Sequence, residues 1–307
     1  MQLQQGLGGS LATVPAAEEP KAPQLNPGGP GGSGLALSAL LVAQGLPSSV
    51  TDRYDLIGMD TRGIGHSTPV SCGFTTDSPY YSNMPPYAVD DAAVTAQAKI
   101  AEQAAEQCAG NDRDDRLRHL TTANTARDLD RIRAALGEEK TSYLGYSYGT
   151  ALGAAYTSMF PERTDRIVLD SDIGDTHLDR DGLRRYALGM EQTLPDFAQW
   201  AARRHDSYGL GRTPQQVRAS YLTIAGRLDK APAAGIDGSV FRLLTFGHLF
   251  MQTQYPQLAQ TWQAMLEGDE AAARDLSAVP KETADGALSP NDNALTVFLS
   301  VTCNDVE

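Results

Sequence analysis

Ser142-Tyr143-Leu144-Gly145-Tyr146-Ser147-Tyr148-Gly149-Thr150 reads as the end of a strand running through a sharp turn into a helix. Gly145, Ser147 and Gly149 have the spacing Gly-x-Ser-x-Gly. A short apolar run precedes them, and a small-residue helix over 151–159 follows. A side chain two residues before or after the serine would crowd the neighbouring strand or helix, and glycine stands at both places. The turn holds the Ser147 hydroxyl out at the carboxyl end of a strand. The helix N-terminus beneath it favours developing negative charge. Alone, the motif also suits a serine at an ordinary strand-to-helix turn; the flanking elements and two motifs upstream favour a nucleophile.

At 307 residues the chain is long enough for a large core and one or two domains. Hydrophobic residues make up 41% and charged residues 21%, an ordinary globular composition. The net charge of −13 speaks against nucleic acid and against an anionic membrane surface as partners. No apolar run approaches the roughly 18 residues of a membrane span. Residues 1–20 lack the basic start and apolar block of a secretory signal peptide. There are three cysteines, Cys72, Cys108 and Cys303. Cys72 and Cys108 flank one polar segment. Pairing them would stabilise the fold by about 4 kcal/mol in the chain-entropy model; the alternative is three buried thiols.

Residues 1–25 are rich in Gly, Ala, Pro and Gln without a period and are expected to be loosely ordered. The segment 21–25, containing Pro23, reads as a poor strand. Asn26-Pro27-Gly28-Gly29-Pro30-Gly31-Gly32-Ser33-Gly34 follows. Such a loop lets backbone N–H groups approach a ligand without intervening Cβ atoms. Its two prolines and the apolar helix after it argue against a flexible linker. It lacks the Gly-Lys-Ser/Thr ending of a phosphate loop. Residues 54–59 read as a buried parallel strand entering Asp60-Thr61-Arg62-Gly63-Ile64-Gly65-His66-Ser67. The span 123–136 is an amphipathic helix that Thr122 can cap and Gly137 closes. Residues 166–170 form the strand after the elbow helix. Strand, helix, strand, helix, strand implies a parallel sheet with right-handed crossovers. Helical patterns then run over 190–205, 214–228, 239–251, 256–267 and 270–276.

Together these motifs resemble the peptidase branch of the α/β-hydrolases, nearest the bacterial tripeptidyl aminopeptidases and the proline iminopeptidases. The matching pieces are 26–34, 60–67, 145–149, Phe160-Pro161-Glu162-Arg163 with 167–170, and Thr302-Cys303-Asn304-Asp305. The resemblance implies an α/β fold, with a parallel-sheet core and a helical cap. It divides the chain into an N-terminal segment (1–25), a core (26–176), a cap (177–290) and a return segment (291–307). It implies release of short peptides or single residues from free N-termini, with small acyl esters as the alternative substrates. Ser147 becomes the nucleophile, and the backbone N–H groups of Tyr148 and Gly29 become the oxyanion donors. It further implies a Cys72–Cys108 disulfide and an exported, extracellular protein. No metal and no cofactor are called for.

The family also places strands before the glycine-rich loop and a catalytic Asp and His after the Cys-x-Asp match. Neither has a counterpart in these residues. The core therefore reads as incomplete: a fragment, one half of a processed pair whose partner is a complementary C-terminal chain that supplies the base, or a decayed, catalytically incomplete copy. Local substitutes fit poorly. His66 precedes Ser147, against the order Ser, acid, His. His177 lies near the sheet but early in the chain; His205 and His248 fall within predicted cap helices. Asp170 and Asp172 end a strand where a capping or ion-pair role is expected. Asp305 is placed to meet a substrate's α-ammonium group, or else is a polar residue at a frayed end.

Overall fold

The computed structural model describes residues 11–14, 21–80, 82, 84, 86–174, 178–233, 235–269, 271–273 and 288–306. Five strands make one sheet: β1 (Leu11–Val14), β2 (Gln24–Asn26), β3 (Leu56–Met59), β4 (Thr141–Tyr146) and β5 (Thr164–Asp170). Their order is β1-β3-β2-β4-β5, with β1 antiparallel to β3 and every other pair parallel. The helices are α1 (Leu37–Ala43), α2 (Ser48–Thr51), α3 (Asp91–Asn111), α4 (Thr122–Ala135), α5 (Tyr148–Met159), α6 (Arg180–Ala202), α7 (His205–Tyr208), α8 (Pro214–Leu228), α9 (Gly238–Leu249), α10 (Tyr255–Glu267) and α11 (Asp292–Asp305).

The segment expected to be a poor strand in a loosely ordered region lies at the middle of the sheet. Lys21 and Pro23 offer their carbonyls to Asp55 N and Ile57 N at 2.9 and 3.0 Å, so Pro23 joins the ladder through the group it still has. β2 then pairs with β3 and β4 together. Its polar side chains are buried and bonded: Gln24 Nε2 donates to Leu129 O (3.0 Å) and Thr141 Oγ1 (3.1 Å), and Asn26 Oδ1 accepts from Gly28 N (2.9 Å). Leu25 joins Leu37, Leu41 and Leu56 in the core.

Two compact units result. One comprises Met1–Asn83, Gln103–Gly182 and Asp285–Glu307; the other comprises Met84–Glu102 and Leu183–Ala284. The second, helical unit packs around Trp262 and Phe197, whose ring centroids are 4.9 Å apart, with Phe241 and Tyr255 beside them. Residues 84–102 belong to it, outside the boundaries read from sequence. α6 starts ten residues before its predicted beginning, where Asp179 Oδ1 accepts Asp181 N and Gly182 N at 2.9 and 2.8 Å. α8 begins as expected, with Thr213 as N-cap and Pro214 in the first turn. The α4 cap shifts by one residue: Thr121, rather than Thr122, accepts Asn124 N. The predicted helix 270–276 lies largely outside the described residues.

In the sheet-bearing unit α11 is a regular, largely buried helix, and its side chains tie down the segments 63–70, 72–74 and 117–120. Asp292 Oδ1 accepts Phe74 N at 2.7 Å and Thr296 Oγ1 accepts Cys72 N at 2.8 Å, both beside the Cys72–Cys108 disulfide. Asn293 donates to Gly63 O and Val70 O, each at 2.7 Å, and accepts Gly65 N at 3.0 Å. Asn304 donates to Leu117 O and Leu120 O. Cys303 is exposed and outside the disulfide. Asn293→Ala removes three bonds to one loop and should lower the unfolding free energy by about 2 kcal/mol, at roughly 1 kcal/mol net per bond with partial replacement by water. Urea denaturation measures it, with Asn304→Ala as a two-bond comparison.

Candidate active site

β2 and β4 are neighbours, and from them the chain leaves in opposite directions, β2 toward β3 and β4 toward β5. The crevice outside the carboxyl ends of two such strands is where parallel sheets bind ligands. Ser147 stands at that end of β4. Its backbone has φ 54° and ψ −122°, a conformation that costs on the order of 1–3 kcal/mol for a residue with a side chain. Bonds on both sides hold it there. Ser147 N donates to Asp170 O at 3.1 Å, and Ser147 O accepts Thr150 N at 2.8 Å and Thr150 Oγ1 at 2.6 Å. Thr150 Oγ1 also accepts Ile173 N at 3.2 Å. Asp170 thus acts through its carbonyl, while its side chain accepts from Ser171 Oγ. Asp172 is exposed.

The two motif glycines are required for clearance. A Cβ on Gly145 would strike the Gly149 carbonyl and come within 2.7 Å of the Tyr143 ring. One on Gly149 would lie 2.9 Å from Asn26 Oδ1. The glycine-rich loop closes on the same turn from the β2 side. Gly28 has φ 93°; a Cβ there would collide with Tyr146 O and sit 3.0 Å from Ser147 Cβ and 3.2 Å from Tyr148 N. Ser147, Tyr148 and the loop are therefore brought together, and Gly28 makes the nearest approach. Gly29 is the next residue, with φ 119°. It borders a cavity of about 310 Å³ lined also by Pro30, Asn291, Ala294 and Phe298.

The segment 60–67 serves as a brace. Buried Asp60 accepts Ser33 Oγ at 2.5 Å on one oxygen and His66 N at 2.9 Å on the other, joining the glycine loop to the turn after β3. Arg62 makes a two-pronged contact with Asp128 of α4, at 2.7 and 2.8 Å, and donates to His119 O and Asn124 O. The His66 side chain is 72% exposed, with Nδ1 3.3 Å from Asp60 Oδ2. His205 Nδ1 accepts Gly211 N and His248 Nδ1 faces Leu244 O, both inside the helical unit. His177 lies outside the described residues. Among the described residues, no hydrogen bond joins a histidine to Ser147.

Asp305 ends α11 in an ordered position. Its oxygens accept Thr122 N at 3.0 and 3.3 Å and Thr122 Oγ1 at 2.5 Å, so it binds the first turn of α4. It borders a small cavity of about 10 Å³ with Tyr148 and Ile173. Tyr148 is buried, and its hydroxyl lies 2.6 Å from Thr122 Oγ1. Burial raises its phenol well above the ordinary value. Sequence reasoning missed Gly28, Asn26, Thr150 and Thr122 as parts of the site. Thr150 and Asn26 adjoin the two motifs, which is the one signal that pointed to them.

Residues 25–280 match the model of the α/β-hydrolase fold. The chain belongs to the α/β-hydrolase family. It is 36% identical over 297 residues to a tripeptidyl aminopeptidase of Streptomyces coelicolor, covering 92% of this chain and 52% of the relative. It is 37% identical over 205 residues to serine protease Hip1 of Mycobacterium tuberculosis, covering 66% of this chain and 39% of that protein. The chain thus spans about half the length, or less, of these curated relatives. Among solved structures, the α/β hydrolase MGS-M2 from a deep-sea metagenome aligns with a TM-score of 0.39 and 12% identity, over 97% of this chain and 70% of that one.

The packing at Gly28 leads to a contrast within this α/β-hydrolase. Gly28→Ala meets both the collision with Tyr146 O and the positive φ, and should destabilise by more than about 2 kcal/mol. Gly189→Ala, in α6 with open space around it, should stabilise by about 0.5–1 kcal/mol. Thermal unfolding of the two variants checks the pair.

Proposed function

We propose that this chain carries the nucleophile and the oxyanion donors of a serine peptidase that releases short peptides or single residues from free N-termini. The observation that carries the reading is the meeting of Gly28 with Ser147 and Tyr148 N around a serine held at positive φ. Ser147 Oγ attacks the scissile carbonyl carbon as its proton passes to a base. The carbonyl oxygen becomes an oxyanion facing the N–H groups of Tyr148 and Gly29. Tyr148 N–H, in the first turn of α5, has no partner within its helix. Fixed donors of this kind contribute about 3 kcal/mol each to the transition state. Collapse expels the amine, which takes the proton, and leaves an acyl-Ser147 ester. Water then attacks the ester, and the acid product leaves.

The base comes, on this reading, from further polypeptide that joins the sheet at β5. Among the described residues β5 pairs with β4 alone, and its Val168 and Leu169 side chains are 55% and 38% exposed. The similarity of peptidases about twice as long supports the same arrangement. An extracellular location is proposed with it, supported by the Cys72–Cys108 disulfide. No helix among the described residues is long and apolar enough to cross a membrane.

A fluorophosphonate probe tests the nucleophile. Labelling, slow in the chain alone, should vanish in Ser147→Ala; absence of labelling even with the C-terminal half of a close relative present would refute the serine as nucleophile. Supplying the C-terminal half of a close relative in trans should raise the labelling rate by at least tenfold. N-terminally free peptide amides should be cleaved in preference to p-nitrophenyl esters. The opposite preference would make the protein an esterase.

A further inference from the structure

Asp305 has a task in the site that does not involve touching substrate. Thr122 Oγ1 contacts Asp305 Oδ2 at 2.5 Å and Tyr148 Oη at 2.6 Å. A threonine hydroxyl has one proton, and an ionised carboxylate can only accept. The Thr122 proton therefore goes to Asp305, and Thr122 Oγ1 accepts its second bond from the Tyr148 hydroxyl. Tyr148 is suited to donate: burial keeps its phenol protonated, the Asp305 charge works in the same direction, and the Thr122 bond only partly offsets them. The chain Asp305–Thr122–Tyr148 thus runs from the end of α11, through the first turn of α4, to the first residue of α5.

That first residue also carries the N–H next to Ser147. Ser147 is held at φ 54°, and relaxation toward an ordinary negative φ would swing the Tyr148 N–H away from its direction. Backbone bonds oppose this at Asp170 and Thr150. The Tyr148 side chain opposes it from the far end, because its tip is anchored to Thr122 and its ring is buried. We propose that Asp305 is a positioning residue: through Thr122 it fixes the Tyr148 side chain and so aims the Tyr148 N–H at the oxyanion. The inference rests on Ser147 being the nucleophile proposed above.

Thr122 is the discriminating position, since Asp305→Ala also strips the bond to the α4 N-terminus and threatens the fold. Thr122→Val keeps the shape and the Thr122 N bond but cuts the link; Thr122→Ser keeps the link. Hydrogen–deuterium exchange of peptides covering 146–150 should quicken at least fivefold in Thr122→Val and Tyr148→Phe, and stay near the parent in Thr122→Ser. In fluorophosphonate kinetics the maximal rate of Ser147 modification should fall about tenfold in Thr122→Val with the half-saturating concentration unchanged. The Thr122→Val/Tyr148→Phe pair should be no slower than either single variant. Faster exchange confined to the first turn of α4, equal loss in Thr122→Ser, or a change in half-saturation alone would overturn the proposal. A parent protein that takes no label even with the C-terminal half of a relative present refutes the nucleophile instead, and elbow exchange then decides the positioning role by itself.

Discussion

The close approach of two backbone turns is the constraint on which the structure depends. The loop after β2 and the elbow after β4 approach this closely because Gly28 and Gly149 carry no side chain, while Gly145 gives clearance within the elbow itself. This contact demands that β2 and β4 be adjacent, which fixes the order β3-β2-β4-β5. That order in turn places the switch in connection direction beside Ser147. It also demands a residue at positive φ in the elbow, and the bonds from Ser147 to Asp170 and Thr150 offset that strain. Sheet topology and site geometry are thus consequences of one steric requirement.

Most polar residues around the site hold backbone and do no chemistry. Asp60 links the glycine loop to the turn after β3, and Arg62 links that turn to α4. Asn293 and Asn304 bind carbonyls of the same region from α11. Such bonds contribute about 1 kcal/mol each on balance, but leaving any of these groups buried and unpaired would cost more. Their effect is to remove alternatives for loops rich in glycine, which would otherwise lose much conformational entropy on ordering. A donor that must face a developing charge without reorganising needs this kind of support.

The elbow, the parallel sheet and the helical run after it were legible in the sequence because each follows a local rule. Gly145 and Gly149 mark clearance, the spacing of Leu129 and Ala126 marks a buried helix face, and Thr213-Pro214 marks a helix start. β2 was not legible, because three residues, Gln-Leu-Asn after a proline, are too few for their alternation to register and include no β-branched residue. The Gln24 amide nitrogen bonds groups more than a hundred residues away and Asn26 Oδ1 bonds inside a turn, and no local pattern encodes that. The same holds for α11, where Asp292, Asn293 and Asp305 look like scattered polar residues of a return segment but are consumed by long-range bonds. Thr122 was read as a helix cap for its residue type, when its hydroxyl faces Asp305 and Tyr148 and the cap is Thr121.

A serine held at positive φ, with no histidine bonded to it among the described residues, has a definite physical meaning. The elbow and the glycine loop are backbone features of two loops, so they form wherever β2 and β4 pair. A general base is a single side chain and can arrive from any segment that reaches the carboxyl edge of the sheet. Without it, oxyanion donors and binding still leave a residual acceleration on the order of 10³–10⁴ over water. On the function proposed above, the positive φ at Ser147 and the exposed Val168 and Leu169 of β5 support completion by further polypeptide, because an apolar edge strand invites pairing and a strained backbone is kept where the surrounding structure holds it.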